Sequence, residues 1–541
     1  MEGPVFCLIS QHDHVCPMSR FSDMGKQRTF PCSLNPDPPS FYTEVSMSYA
    51  AAIDQLSAMT PELFTQPGHT RRKFSLDEIG ILLAALGNPH HRFPSVLIAG
   101  TNGKGSTAAT LASILTASGL RAGLYTSPHL TRPNERIRLN GAEIADTAFA
   151  ALYFRVHDCA QQLLLDQRLA QLPSFFETLT AMAFLHFAEA SADIAVLEVG
   201  MGGRLDATNI VDPLLSIITD ISLDHTEWLG PTIAAIAREK AGILRAGGTL
   251  ITLPQHPEAN QVLGEIATGL DVRAVSAVPY MPSEHPASRT AIKAAEPAPI
   301  SYFVPVLGTS VEVASPLHGA HQQRNIALAI AAAVELAFHH GVPITPASIT
   351  AGIRNTRWPA RLEVIEIPSQ GSATPQVLQV VLDVAHNPAG AWALRAALRA
   401  LLDFDTEAQP PTLIFSCLRD KPIVEMAQIL FPIFDRVIFA PIHSPRATPM
   451  ADMLAAAAST GTPATAASSV AEAIELAESS VSTSTNPDRA ASTSPNLPRT
   501  SNGREAQSAS RTGARCVVVA GSVYLVGEAR ALLLARAGVP A

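Results

Sequence analysis

Between Ser95 and Thr107 the chain runs from an apolar, strand-sized segment, Ser95-Val96-Leu97-Ile98-Ala99, directly into Gly100-Thr101-Asn102-Gly103-Lys104-Gly105-Ser106-Thr107 and on into helix-forming sequence. A strand that breaks into a glycine-rich loop and restarts as a helix lets backbone N–H groups close around phosphate. The helix N-terminus favours the anion, and a lysine and a hydroxyl serve the β- and γ-phosphates and their metal ion. The loop departs from the common P-loop, with Thr101 and Asn102 alone between its first two glycines and Gly105 added after the lysine. Without a ligand, the same residues are a tight glycine turn.

The rest of the chain supplies the context such a loop requires. Short β-branched or aliphatic runs alternate with longer helical stretches, the pattern of a parallel sheet covered by helices, so the fold class is α/β. Strands are expected at Ser95–Ala99, Ala122–Tyr125, Asp193–Val199, Leu214–Thr219 and Thr249–Leu253, with helices at Ser106–Ser118, Asp146–Leu169, Ser174–Ala190 and Thr232–Lys240. A second alternation follows Trp358, with strands at Val377–Val384, Thr412–Ser416, Arg436–Phe439 and Cys516–Ala520. Its helices are expected at Ala389–Leu402, Ile423–Leu430, Ser469–Glu478 and Gly527–Ala537. The expectation is a P-loop-type parallel-sheet ATPase domain over 47–355 and a smaller Rossmann-like domain over 356–541.

Composition narrows the partners. A chain of 541 residues with 47% hydrophobic and 16% charged residues can bury ample core. Its formal net charge of −9, with no long basic run, lacks the electrostatic footprint of a nucleic-acid binder. Its apolar runs fall far short of the roughly 20 residues that span a bilayer, so no membrane partner is expected. The six cysteines, at 7, 16, 32, 159, 417 and 516, form no Cys-x-x-Cys and suggest neither a disulfide framework nor a zinc site. Cytoplasmic, monomeric protein is the expectation. Residues 1–46 are Pro-rich and aperiodic and read as a disordered or artefactual extension, with Met47 a second candidate start and His12, His14 and Cys16 an incidental cluster. The Ala/Pro/Ser-rich stretch Pro279–Pro299 reads as a surface loop, and 479–515, almost devoid of apolar residues, as a disordered insertion.

Open parallel sheets bind ligands at the carboxyl ends of their strands. Thr126-Ser127-Pro128-His129-Leu130 follows one strand, and Ser127 is a candidate Mg²⁺ ligand or a turn residue. Leu197-Glu198-Val199-Gly200-Met201-Gly202-Gly203-Arg204 places a carboxylate where three glycines make room for a ligand, although a solvated strand end has the same pattern. Asp224-His225 follows the next strand, and a lone histidine is usually structural. On the helix after Pro231, Ile233, Ile236 and Ala237 form an apolar stripe, and Lys240 lies on that same inward face. Lys240 is equally a lysine beside a helix C-cap glycine, Gly242, with a snorkelling stem.

Taken together, Ala99-Gly100-Thr101-Asn102-Gly103-Lys104-Gly105-Ser106, Thr126 to Leu130, Glu198 to Asn209, and Leu223-Asp224-His225 through Glu239-Lys240-Ala241-Gly242 resemble, in order and spacing, the folylpolyglutamate synthase/dihydrofolate synthase family of the Mur ligase superfamily. The resemblance continues through His321-Gln322-Gln323-Arg324-Asn325, Arg357-Trp358-Pro359-Ala360-Arg361, Asp383-Val384-Ala385-His386-Asn387-Pro388 and Gly521 to Gly527. Ala360 stands where the family usually has glycine, and Ser416-Cys417 replaces a more glycine-like turn.

The resemblance implies ATP as cosubstrate, with Thr101, Asn102, Gly103, Lys104, Gly105, Ser106 and Thr107 around its phosphates and Asn325, Arg361 and Asp383 also at the nucleotide. It implies two Mg²⁺ ions: Ser106 and Ser127 with Glu198 at one, and Glu198 with His225 at the other. Lys240 would be a carbamylated lysine, and Lys104, Glu198, His225, Lys240 and His386 the catalytic set. The implied reaction joins L-glutamate to dihydropteroate or to a reduced folate through an acyl phosphate. The stretch Leu223 to Gly230 looks more like the bifunctional bacterial members. Other readings remain: a P-loop NTPase without ligase activity, another Mur-type amide ligase, or a non-catalytic nucleotide-binding module. A cell-wall Mur ligase would carry a UDP-sugar domain ahead of the loop, and 1–46 has no globular pattern.

Overall fold

The computed structural model describes residues 47–59, 75–283, 301–368, 377–401, 410–479 and 515–539. The expectations for 1–46, most of Pro279–Pro299 and nearly all of 479–515 lie outside the described residues. Sixteen strands are described. They are β1 (Ser95–Ala99), β2 (Ala122–Tyr125), β3 (Ile137–Leu139), β4 (Ala142–Glu143), β5 (Ile194–Glu198), β6 (Leu215–Ile218), β7 (Thr249–Thr252), β8 (Arg273–Ser276), β9 (Ser301–Val306), β10 (Thr309–Ala314), β11 (Arg361–Pro368), β12 (Val377–Asp383), β13 (Thr412–Phe415), β14 (Arg436–Phe439), β15 (Ala464–Ala466) and β16 (Arg515–Ala520).

The first sheet has the order β4-β3-β2-β5-β1-β6-β7-β8. Its strands β1, β2 and β5 to β8 are parallel, while β3 and β4 extend one edge antiparallel. Each inner strand is buried on both faces, which is why it reads as a continuous apolar run. In β1, Leu97 and Ala99 face one core with Phe149, Phe184 and Leu197, whereas Val96 and Ile98 face the other with Ile114, Ile330 and Val196. Fully burying one such side chain contributes about 1.5–3 kcal/mol, so both faces together fix the register. The helices Asp146–Leu165 and Phe175–Glu189 cover the first face, and Lys104–Ala117, Ala320–His340 and Pro346–Asn355 cover the second.

The second sheet, β11-β12-β16-β13-β14-β15, is parallel except for β11, which pairs antiparallel with β12. The helices Val470–Ser479 and Val523–Ala537 pack on one face, and Pro388–Leu401, Ile423–Leu430 and Met450–Thr460 on the other. Two α/β sheets, each sandwiched by helices, are the expected class. Antiparallel strands occur only at the edges, as β3, β4 and β11, and in the separate hairpin β9–β10. No helix among the described residues is long and apolar enough to cross a membrane.

The topology singles out β1. The chain leaves β1 for β2 on one side, returns to fill the gap with β5, and then continues to β6 on the other side. A crevice therefore opens at the carboxyl ends of β5, β1 and β6, where the strand order reverses.

Candidate functional site

The phosphate loop fills that crevice. Gly103 caps the helix Lys104–Ala117 in a left-handed conformation (φ 89°), and no side chain caps the helix start. Its first backbone N–H groups are thus left for a ligand. A Cβ on Gly103 would lie 2.2 Å from Asn325 Oδ1, so glycine is needed for both the backbone angle and the close approach of the helix Ala320–His340. Lys104 Nζ is folded back onto the carbonyls of Gly100 and Thr101, at 3.2 Å each, a position from which phosphate oxygens can draw it.

A cleft runs from this loop to the second sheet. Its walls carry Thr101, Asn102, Gly103, Lys104, Gly105, Ser106, Ser127, Glu198, His225, Lys240, Asn325, Arg361, Asp383 and His386. Thr107, the remaining candidate, does not line it. That residue is fully buried, with a hydroxyl lacking a hydrogen-bond partner among the described residues.

Glu198, the last residue of β5, is 4% exposed and accepts one long hydrogen bond, 3.2 Å, from the Ser127 backbone N–H. Burial pushes its carboxyl above the usual range, against the opposing pull of Lys104, Arg361 and Arg136. With a single long hydrogen bond among the described residues, this carboxylate has oxygen lone pairs that a hard cation would complete. His225 begins the short helix Thr226–Leu229 with φ at 50°, a strained angle for a residue with a side chain. Burial first, and then the Lys421 charge, lower its pKa to about 3, which leaves a neutral imidazole with a lone pair to donate. Among the described residues no group of three or more His, Cys, Asp or Glu gathers for a metal ion. Ser106, Ser127 and Glu198 line the cleft with oxygen atoms of the kind Mg²⁺ takes together with substrate phosphates and water, and His225 lines the same cleft.

Lys240 ends the helix Ile233–Ala241, which Thr232 starts by accepting from Ala235 N–H at 3.1 Å. Ile236, Ala237 and Lys240 are buried together. The lysine is 4% exposed and donates to the Gly100 carbonyl at 2.7 Å, so it meets the phosphate loop instead of snorkelling to water. Burial, reinforced by the Lys104 charge, lowers its pKa to about 7.

The second sheet supplies the facing wall. Asp383, at the end of β12, accepts from the N–H groups of Leu362 (3.1 Å) and Ala385 (2.9 Å), and burial raises its pKa against the pull of His321 and Arg361. Arg361 is half-buried and feels the charges of both Asp383 and Glu198, while burial lowers its pKa. His386 Nδ1 contacts the Val384 carbonyl at 2.9 Å. A carbonyl can only accept, so Nδ1 carries a proton, and Nε2 lies 3.6 Å from Asp224 Oδ2. Ala360, in the family's glycine position, is fully buried with φ at 57°, a left-handed angle that accounts for the glycine preference.

Sequence reasoning gave no role to Asp224, Asn387 or Lys421, although all three sit in this interface. Lys421 lies just beyond the carboxyl end of β13, where the strand-end rule could have found it. It also missed a second pocket, with Phe176, Asp206, Arg204 and Trp228 on its walls. This pocket shares Met201, Gly202 and Leu229 with the main cleft.

The Mur ligase middle domain matches residues 98–333, and the Mur ligase glutamate ligase domain matches 360–491. A folylpolyglutamate synthase of Lacticaseibacillus casei is 37% identical over 68% of this chain and 82% of its own. A dihydrofolate synthase/folylpolyglutamate synthase of Mycobacterium tuberculosis is 35% identical over 86% of this chain and 91% of its own. Among solved structures, Mycobacterium tuberculosis folylpolyglutamate synthase complexed with ADP and AMPPCP superposes with a TM-score of 0.70 at 33% identity, covering 85% of this chain and 95% of that one. Escherichia coli FolC in complex with DHPP and ADP gives 0.68 at 27% identity, covering 91% and 98%. The chain therefore belongs to the dihydrofolate synthase/folylpolyglutamate synthase family of Mur ligases.

Proposed function

We propose that this protein is an ATP-dependent ligase that joins the amino group of L-glutamate to a carboxylate of a pterin-bearing acid. Dihydropteroate would give dihydrofolate, and a reduced folate would be extended at its γ-carboxylate. The observation that carries this reading is the convergence of the phosphate loop, Glu198, His225 and Lys240 with Arg361, Asp383 and His386 from the second sheet on one cleft. A nucleotide-binding module or simple NTPase has no need of that second wall.

The chemistry follows from what a carboxylate lacks. It is a poor acylating agent until the γ-phosphoryl of ATP is transferred to one of its oxygens, with ADP leaving. The glutamate amine then attacks the acyl carbon, the C–O bond to phosphate breaks, and inorganic phosphate departs with the electron pair. Before attack the glutamate ammonium must lose a proton, and His386, on the facing wall of the cleft, is the residue read as taking it. Lys104 and the loop N–H groups stabilise charge gathering on the transferred phosphoryl. Ser106, Ser127, Glu198 and His225 would hold Mg²⁺, whose chemistry here is charge neutralisation. Lys240 is read as the carbamylated lysine, and Asn325, Arg361 and Asp383 as nucleotide contacts. The acceptor's ring system is assigned to the second pocket, where Phe176 and Trp228 offer flat apolar surface.

The functional division adopted is 47–355 for the ATP-binding part and 356–541 for the glutamate-ligase part. Both cleft walls come from one chain, which supports a functional monomer. The deciding experiment is phosphate release from ATP with Mg²⁺ and glutamate, offering dihydropteroate and tetrahydrofolate separately. Turnover requiring glutamate and either acceptor is expected; hydrolysis indifferent to both would leave only the NTPase reading.

Close approach of the two parts gives a further expectation. Gly527, in the helix Val523–Ala537, leaves so little room that a Cβ there would lie 2.1 Å from the Leu130 carbonyl oxygen. Alanine favours a helix by about 1 kcal/mol over glycine, yet here it must push the facing backbone by roughly 1 Å, a displacement that can cost about 10²-fold in rate. Gly527→Ala is expected to lower kcat by about that factor while far-ultraviolet circular dichroism stays unchanged. Full activity would show that the approach is not needed for turnover.

A further inference from the structure

Asp224 makes contacts that the ligase chemistry does not call for. Its side chain is 7% exposed, and Lys421 Nζ, itself 4% exposed, donates to Oδ1 at 2.5 Å. Asn387 Nδ2 donates to Oδ2 at 3.0 Å. His386 Nε2 lies 3.6 Å from the same Oδ2, and all three partners belong to the second sheet's domain. Oδ1 also accepts the backbone N–H of His225 at 2.9 Å, across the left-handed turn at that residue. Asn387 reaches further, to the phosphate loop: its Nδ2 donates to Asn102 Oδ1 at 3.0 Å, and Asn102 Nδ2 returns a longer bond of 3.4 Å. Lys421 is backed by Asp420 at 3.7 Å, which Arg446 holds at 2.6 Å.

A buried ion pair is weak evidence for stability, because the two charges lose hydration that their attraction barely repays. Its value lies in geometry. This pair exists only when the two domains are docked, and when they separate each charge returns to water. In the docked form the lysine pins the carboxylate that holds the His225 turn, while Asn387 holds Asn102 in the phosphate loop. Removing one partner alone leaves the other buried and uncompensated, which is far costlier than losing the pair.

We propose that Lys421 is a positioning residue: by pairing with Asp224 it latches the second domain onto the phosphate-loop domain and fixes the His225 turn. The ATP side of the cleft is then set for reaction only when the glutamate side is in place. The turnover part of the test rests on the ligase reading, and the docking part does not.

The test compares the full-length parent with Lys421→Met, Asp224→Asn and the double variant. Docking is read as the radius of gyration in small-angle scattering with Mg²⁺ and AMPPCP, and turnover as kcat and KM for ATP and glutamate. Lys421→Met is expected to bind fluorescent ADP within about threefold of the parent, keep a larger radius with AMPPCP, and lose about 150-fold or more in kcat, the lower end for a broken buried pair. The double variant should lose no more than the worse single variant, since the pair acts as a unit. Three results would overturn the latch: a radius that contracts as in the parent, losses that multiply in the double variant, or a change confined to the KM for glutamate with docking intact. If Lys421→Met does not fold, Asp224→Asn decides by the same scattering measurement, with normal contraction overturning the proposal.

Discussion

Glu198→Gln is expected to abolish amide formation, with a loss on the order of 10³-fold or more, the scale seen when one charge-stabilising contact is removed from a preorganised site. The substitution keeps the shape of a side chain that is 4% exposed at the end of β5 and removes only its charge. Burial holds the Glu198 carboxyl above its ordinary range. The sign follows: a folded-state pKa above the unfolded value means that the ionised form is penalised by folding at neutral pH. Glutamine avoids that penalty and can still accept from Ser127 N–H, so the metal-free variant should melt at the same temperature as the parent or higher. The separation between the two proteins should appear on adding Mg²⁺ and ATP, which raises the melting temperature of the parent by mass action and of the variant much less. Near-normal turnover, or equal stabilisation by Mg²⁺ and ATP, would remove Glu198 from the metal site.

How much was legible in the sequence depended on how directly local pattern set each element. β1, β2 and β14 begin and end where the apolar runs do, because strands buried on both faces leave no ambiguity of period. The expected helix at Ser106–Ser118 starts two residues early, at Lys104, because Gly103 in a left-handed conformation replaces the usual side-chain cap. Edge strands escaped notice. β8 is mostly exposed and four residues long, and β11, Arg361–Pro368, alternates buried and exposed positions where a continuous run was sought. The helix Ala320–His340 was passed over because its alanine-rich middle is buried all round and shows no stripe.

The site was legible where residues cluster at strand ends, as at Glu198, and obscure where it depends on the two sheets meeting. Its place after β13 is the one local signal for Lys421, and that signal names no partner. Its partner Asp224 is 197 positions away, and only docking brings them together. Asp206 likewise appeared within a motif, yet its place in the second pocket depends on Phe176 from a different helix.

Lys240 gives the sharpest separation between a catalytic residue and a structural one. It follows His225 by fifteen positions (240 − 225) and ends with Nζ 2.7 Å from the Gly100 carbonyl, beside Lys104 on the same oxygen. Burial and the Lys104 charge lower its pKa to about 7, against smaller opposing effects from Asp224 and Asp206. A carbamate forms only from the neutral amine, so ¹³CO₂ uptake seen by nuclear magnetic resonance should rise as pH passes upward through about 7. The stability sign is worked out in CO₂-free buffer. With a folded pKa near 7 and an ordinary value of 10.5, the unfolded chain holds a proton that the folded one lacks between those limits. Stability therefore rises with pH across that window and is flat with respect to this group below it, and Lys240→Ala should lack this component. Lys240→Ala is expected to fold and lose turnover by about 10²-fold or more, with short carboxylic acids restoring part of it by standing in for the missing carboxylate. Lys240→Arg keeps the charge at the helix end but cannot take up CO₂, so it should fail as well and show no ¹³CO₂ signal. An arginine variant that turns over like the parent would reduce Lys240 to a structural lysine beneath the phosphate loop.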